Sequence, residues 1–126
     1  MKKILVLFCL VLSIHVFAQT DISFKETKFS FGKIKQSVPV THVFTFTNKS
    51  AKPLVIEVAT AECGCTTPVY SKEPIAKGKS STIKVTFNAA NPGTFKKNVN
   101  VKFANITPPT VLTIDGEVEV AKAKTK

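Results

Sequence analysis

The sequence predicts an all-β fold, a sandwich of about seven antiparallel strands behind a cleaved leader. Three observations lead there. After Gln19, apolar and polar residues alternate with a period of two in run after run, and helical periodicity is hard to find. Clusters of Gly, Pro, Asn, Ser and Lys separate those runs. The first eighteen residues carry a pattern of export rather than of folded structure.

The leader comes first. Lys2 and Lys3 form its charged start, and Ile4 to Phe17 form an apolar stretch broken only by Ser13 and His15. Val16 and Ala18 suit the −3 and −1 positions of a cleavage site, so cleavage is expected between Ala18 and Gln19. The stretch falls short of the about 20 apolar residues that a membrane-crossing helix needs. No later segment is apolar enough to cross, so the mature chain is expected to have no transmembrane span. Cys9 follows Phe8 inside the apolar run, which continues past it, so it does not read as a lipid-attachment cysteine. The expected location is periplasmic or secreted.

The strands follow in order. Lys28–Gly32 supplies a short first one. Val38, Val40, His42, Phe44 and Phe46 then share one face, opposed by Thr41, Val43, Thr45 and Thr47. Asn48–Pro53 is a polar break. Leu54, Ile56 and Val58 form the next set. Lys77-Gly78-Lys79-Ser80 turns the chain into Ile83, Val85 and Phe87, with Lys84 and Thr86 facing out. Asn91-Pro92-Gly93 is a turn by its own chemistry, since Pro fixes φ and Gly accepts positive φ. Phe95, Lys97, Val99, Val101 and Phe103 come next, opposed by Lys96, Asn98, Asn100 and Lys102. Thr107-Pro108-Pro109 ends that strand, because proline cannot donate to a ladder. Leu112 and Ile114 begin the last one.

This number and spacing of strands is that of an immunoglobulin-like sandwich, with a small closed barrel as competitor. The expected layout is a signal peptide at 1–18, the sandwich at 19–120 and a disordered Lys-rich tail at 121–126. Phe29, Phe31, Phe44, Phe46, Phe87, Phe95 and Phe103 are the large candidates for the core. There is no tryptophan, and Cys63 and Cys65 are too close in sequence to bridge two sheets with each other, so this is not an antibody-type domain.

Certain functions are disfavoured. The 18 basic residues outnumber 8 acids, a formal charge of +10, which loses two with Lys2 and Lys3. Every one is lysine. Phosphate and guanine recognition favours arginine's planar fork, so nucleic acid is not an expected partner. A repelling, solvated surface is the plain reading, with weak attachment to an anionic envelope surface as an addition. His42 is the sole histidine after cleavage, hence the sole candidate base of a triad. Its parity with Phe44 and Phe46 makes it a partly buried histidine bonded to a backbone group instead. Asp115, Glu117 and Glu119 alternate along one strand face, which reads as solvated. The sequons Asn48-Lys49-Ser50 and Asn105-Ile106-Thr107 read as chance.

Cys63-Gly64-Cys65 is the chemical lead. The pair has three readings: a disulfide, a metal clip, or two buried thiols. Alternate residues of a flat strand stand about 6.5–7 Å apart, against a preferred disulfide Cα separation of about 5.5–6 Å, so a bond needs a bend that Gly64 permits. So small a ring removes little chain entropy. Two thiolates suit Cu(I). Zinc wants four ligands, and Cys63, Cys65 and His42 make three unless Glu62 or a second chain joins them.

Several segments also carry a resemblance. Phe29-Ser30-Phe31-Gly32-Lys33-Ile34 precedes Phe44-Thr45-Phe46-Thr47-Asn48 and Pro53-Leu54-Val55-Ile56. Then come Cys63-Gly64-Cys65-Thr66, Pro74-Ile75-Ala76-Lys77-Gly78-Lys79 and Ile83-Lys84-Val85-Thr86-Phe87. In that order and spacing the chain resembles the domain of unknown function 1573 family, exported bacterial proteins with immunoglobulin-like domains of the abnormal-spindle and Hydin type. The resemblance runs from about Phe29 to Phe103, and Cys-Gly-Cys-Thr is its most specific part. Gln36-Ser37 departs from it where a turn glycine is common, and Lys77 where proline is frequent. The family implies a fold and an exported location, and no reaction. The expected function is thus a non-catalytic binding or structural module, not an enzyme and without a cofactor. Its partner is an unknown protein or envelope component, with edge-strand pairing as one mode. The alternative is a thiol-redox accessory or Cu(I)-binding protein using Cys63 and Cys65.

Overall fold

A computed structural model describes residues 20–121. The leader, Cys9, the Ala18–Gln19 cleavage site and residues 122–126 of the tail lie outside the described residues. Eight strands follow one another: β1 (Ile22–Phe24), β2 (Lys28–Lys35), β3 (Val40–Asn48), β4 (Ile56–Ala61), β5 (Thr66–Tyr70), β6 (Ser80–Phe87), β7 (Gly93–Phe103) and β8 (Thr110–Glu119). They form two four-stranded sheets, β1-β3-β6-β5 and β2-β8-β7-β4. This is the strand partition of an immunoglobulin-like sandwich, with the first strand divided between the sheets. Every pairing is antiparallel except β2 with β8, which run parallel from Lys28↔Thr113 to Lys35↔Glu119.

The alternating residues make the core. Phe44 and Phe46 of β3, Ile83, Val85 and Phe87 of β6, Val99, Val101 and Phe103 of β7, and Leu112, Ile114 and Val118 of β8 are all buried. Aromatic rings tie the sheets together. Phe46 meets Phe103 edge-on with centroids 5.4 Å apart, and Phe24 of β1 packs on both, at 5.2 and 6.3 Å. Near the opposite end Phe87 stacks on Phe95 at 4.2 Å. These are separations at which aromatic pairs add to simple burial.

The structure departs from strict alternation in β4. Ile56 pairs with Phe103 while Val58 pairs with Lys102, so a bulge inserts an extra residue at Glu57. The bulge shifts the parity. Val58, expected inside, is 38% exposed, and Ala59 is buried in its stead. Val38 lies outside β3 and is 51% exposed. Two strands, β1 and β5, have no counterpart in the expected set.

The sheet edges are blunted. β1 has only three residues, β5 carries Pro68, β4 has its bulge, and β2 has Lys28, Lys33 and Lys35 together with an irregularity between Ser30 and Lys33. Short edges, proline, bulges and lysines each discourage the addition of another strand. Opposite that irregularity lies Gly116. A Cβ there would fall 2.7 Å from the Gly32 carbonyl oxygen and 2.9 Å from Phe95 Cζ, so the parallel pairing requires glycine.

Candidate functional site

The strand directions sort the connections into two ends. At one end lie the β3–β4 and β5–β6 loops, and at the other the Cys63-Gly64-Cys65 turn with the β2–β3 and β6–β7 loops.

The first end is organised by Asn48, the last residue of β3, whose side chain is fully buried. Its Nδ2 donates to the carbonyls of Lys52 and Ile75, both at 2.8 Å. Its Oδ1 accepts from the Ser50 amide at 2.9 Å and the Ser50 hydroxyl at 2.6 Å. One side chain thus satisfies backbone groups of two loops that the sequence separates. Leu54 and Ile75 complete the knot with reciprocal backbone bonds of 2.9 and 2.7 Å, and Gly78 N donates to Asn48 O at 2.8 Å. The Asn48 sequon is therefore closed to glycan attachment. From this fixed backbone Lys49, Lys52, Lys72, Lys77 and Lys79 reach solvent, with Asp21 and Glu73 as the local acids. Asparagine at a strand end reads as a turn residue, so the sequence hid its burial.

At the other end, Cys63 and Cys65 form a disulfide across the turn between β4 and β5, with Cα atoms 5.3 Å apart. The turn makes the bend that a flat strand would forbid. Gly64 does so without a left-handed φ, and a Cβ on it would meet nothing within 4 Å. Both cysteines are half-buried, and Cys65 packs against the core. Thr66, the first residue of β5, is 4% exposed. Its Oγ1 lies 3.8 Å from Cys63 Sγ and 3.6 Å from Cys65 Sγ. The turn is braced by the residue just after β6, where the Asn88 amide donates to Cys65 O at 2.9 Å. Next along, Ala89 and Ser37 both take positive φ, 55° and 63°, and Ser37 N donates to Ala89 O at 2.8 Å. Ser37 thus sits in a conformation that explains why a glycine suits this turn.

The other sequence candidates go elsewhere. His42 is not bonded to backbone. Its Nε2 meets Glu26 Oε1 at 2.7 Å, and its ring stacks on Phe29 with centroids 3.6 Å apart. The side chain partner comes from the β1–β2 crossover, a segment with no pattern to announce it. Glu62 accepts from Asn98 Nδ2 at 3.1 Å, on the outer face of the sheet. His42 and Glu62 are therefore engaged away from the cysteines. Among the described residues no three His, Cys, Asp or Glu side chains are grouped to hold a metal. Glu119 pairs with Lys33 at 3.6 Å, and Asp115 lies opposite Lys96 in the β7–β8 register. The Lys33–Glu119 contact is an exposed ion pair, worth little in stability.

Among the described residues, no helix is long and apolar enough to cross a membrane. A family model described as "Protein of unknown function (DUF1573)" matches residues 22–118. No curated protein gives a significant sequence match. Solved structures share the fold at low identity. A protein of unknown function from Porphyromonas gingivalis is 14% identical with a TM-score of 0.66, covering 82% of this chain and 51% of its own. The PapD-like domain of human CEP192 is 7% identical with a TM-score of 0.69, covering 82% and 88%. The YadV chaperone is 17% identical with a TM-score of 0.55, covering 83% and 55%. The chain spans about half the length of the Porphyromonas protein.

Proposed function

The chain belongs to the DUF1573 family of proteins of unknown function, and we propose that it is an exported, non-catalytic binding module. Its recognition surface is the lysine-bearing loop end, and its partner is an acidic component of the cell envelope. The observation that carries this reading is the Asn48 knot. Loops tied by buried hydrogen bonds hold Lys49, Lys52, Lys77 and Lys79 on a fixed backbone. A rigid loop set on a sandwich is the common site of recognition in such folds. Clustered charge of one sign raises the local concentration of an oppositely charged partner. The blunted edges argue for this end over strand addition as the mode of binding. Ammonium groups act as point charges rather than forks, which suits a partner with dispersed negative charge over a shaped phosphate pocket.

The test is sedimentation of the mature chain (residues 19–126) with phosphatidylglycerol-containing vesicles and with neutral phosphatidylcholine vesicles. Binding is expected only to the anionic ones, and is expected to weaken as salt is raised. Reversing Lys49, Lys52, Lys77 and Lys79 to Glu should abolish it. Reversing Lys33, Lys96 and Lys102 on the other sheet should leave most of it. Equal loss from both sets would refute the loop end as the site. Export is checked separately, by an intact mass from periplasmic and culture fractions that begins at Gln19.

A further inference from the structure

We infer that Cys63, Cys65 and Thr66 form a thiol–disulfide exchange site that accepts two electrons from a protein dithiol. This goes beyond the binding function and involves the opposite end of the sandwich.

Three observations carry it. First, the bond has no structural task of any size. It links residues separated by two in sequence, inside one turn, and joins neither the two sheets nor two distant segments. A bridge stabilises mainly by closing long loops of the unfolded chain, and this one closes the shortest kind. Second, the site can be approached. Both cysteines are half-buried rather than enclosed, Gly64 between them is exposed, and the space beside its Cα is empty. An incoming group therefore meets no atom within 4 Å of the place a Gly64 Cβ would take. Third, Thr66 Oγ1 is within hydrogen-bonding reach of both sulfurs. Disulfide sulfurs carry no hydrogen, so the hydroxyl is the donor. Among the described residues it has no other hydrogen-bond partner, although Thr66 is buried. A hydroxyl makes a weak bond to a disulfide sulfur and a strong one to a thiolate. It therefore stabilises the reduced pair more than the oxidised pair. Thiolate stabilisation of this kind makes a disulfide a better oxidant.

The geometry sets the order of steps. Cys65 Sγ is nearer to Thr66 Oγ1 than Cys63 Sγ is, and Cys65 is packed against the core, so Cys63 is the sulfur attacked. A thiolate of the partner attacks Cys63 Sγ. The Cys63–Cys65 bond breaks as the mixed disulfide forms, and Cys65 leaves as a thiolate that Thr66 holds. The second thiolate of the partner then attacks its own sulfur in the mixed disulfide and expels the Cys63 thiolate. The partner ends as a disulfide, having lost two electrons and two protons. Cys63 and Cys65 end as a dithiol, having gained both. Exchange with a second disulfide, such as oxidised glutathione, reverses the steps and restores the bond.

The experiment equilibrates the mature chain with glutathione at graded ratios of reduced to oxidised form. Free thiols are trapped by alkylation and counted by mass. The wild-type pair is expected to be half reduced within the accessible range. Thr66→Val keeps the branched shape and removes the donor. It is expected to shift the equilibrium about tenfold toward the disulfide, ~30 mV for a two-electron couple. Thr66→Ser is expected to retain the wild-type value. A wild-type pair that stays bonded at every ratio, as an inert structural bridge does, overturns the proposal. So does an equilibrium constant unchanged in Thr66→Val. If the valine variant does not fold, the wild-type titration alone decides. Neither result bears on the vesicle assay, which reads the other end of the molecule.

Discussion

Replacing Asn48 with alanine removes the knot under the lysine loops. The side chain makes four hydrogen bonds, two donated to the carbonyls of Lys52 and Ile75 and two accepted from Ser50. Each is worth about 0.5–1.5 kcal/mol net, and a buried group left without a partner adds a penalty of about 1–3 kcal/mol. The bond to the Ile75 carbonyl is the buried one, while Lys52 and Ser50 can turn to water. With the four bonds at the low end of that range, as suits partners that are mostly half-exposed, and a single penalty, the sum comes to about 3–5 kcal/mol. A domain of this size is stable by about 5–15 kcal/mol in total, so the loss is a large share. At about 4–8 °C per kcal/mol, the melting temperature should fall by roughly 12–40 °C. Urea unfolding followed by far-UV circular dichroism measures the free energy directly, with a fall in midpoint at constant slope. Ser50→Ala is the graded control, since it removes only the hydroxyl's bonds, and should cost about 1 kcal/mol. Asn48→Asp keeps the acceptor but aims a carboxylate at two carbonyls, and should cost as much as alanine at neutral pH. A loss below about 1 kcal/mol in Asn48→Ala would refute the idea that this side chain holds the two loops.

Three further substitutions test other features. Gly116→Ala places a Cβ 2.7 Å from the Gly32 carbonyl, and should destabilise by about 1–3 kcal/mol in urea unfolding, as overpacking does. Ser37→Gly relieves a positive φ of 63° at an exposed turn; the left-handed penalty of about 1–2 kcal/mol exceeds glycine's entropic loss, so calorimetry should show a melting temperature raised by a few degrees. The double change Cys63→Ser and Cys65→Ser should cost no more than about 2 kcal/mol, because the three-residue ring constrains the unfolded chain so little, and a larger loss would mean that the bond is structural.

The sandwich could be read from β3, β6 and β7 because each has one face on the core and one in water. That arrangement writes an alternating pattern into Phe44, Phe46, Ile83, Val85, Val99 and Val101. The pattern fails where that condition fails. The β4 bulge moves Val58 outward and Ala59 inward, and nothing in the composition of Leu54–Ala61 marks the extra residue. β5 reads Thr-Thr-Pro-Val-Tyr, an edge strand whose proline suggests a loop. β1 is too short to alternate, although Phe24 fills the space between Phe46 and Phe103. At the cysteine turn, the spacing of the two thiols was plain. The Thr66 hydroxyl beneath them was not, since a threonine opening a strand is an ordinary residue. Asn48 and His42 were hidden for a shared reason: the Ile75 carbonyl and the Glu26 carboxylate that they meet lie 27 and 16 residues away in sequence.

The parallel pairing of β2 with β8 has a consequence for how the chain reaches this state. Lys28 meets Thr113 and Lys35 meets Glu119, so nearly the first strand and the very last must find each other before the second sheet is whole. Neither can be replaced by a neighbour, since β8 also supplies Leu112, Ile114 and Val118 to the interior. A growing chain without residues 110–119 therefore has no stable sandwich to fall into, and contacts of such long sequence separation form slowly. Under the export proposed above, a chain threaded through a translocation pore end first would stay open until residues 110–119 had been delivered, and would close only on the far side.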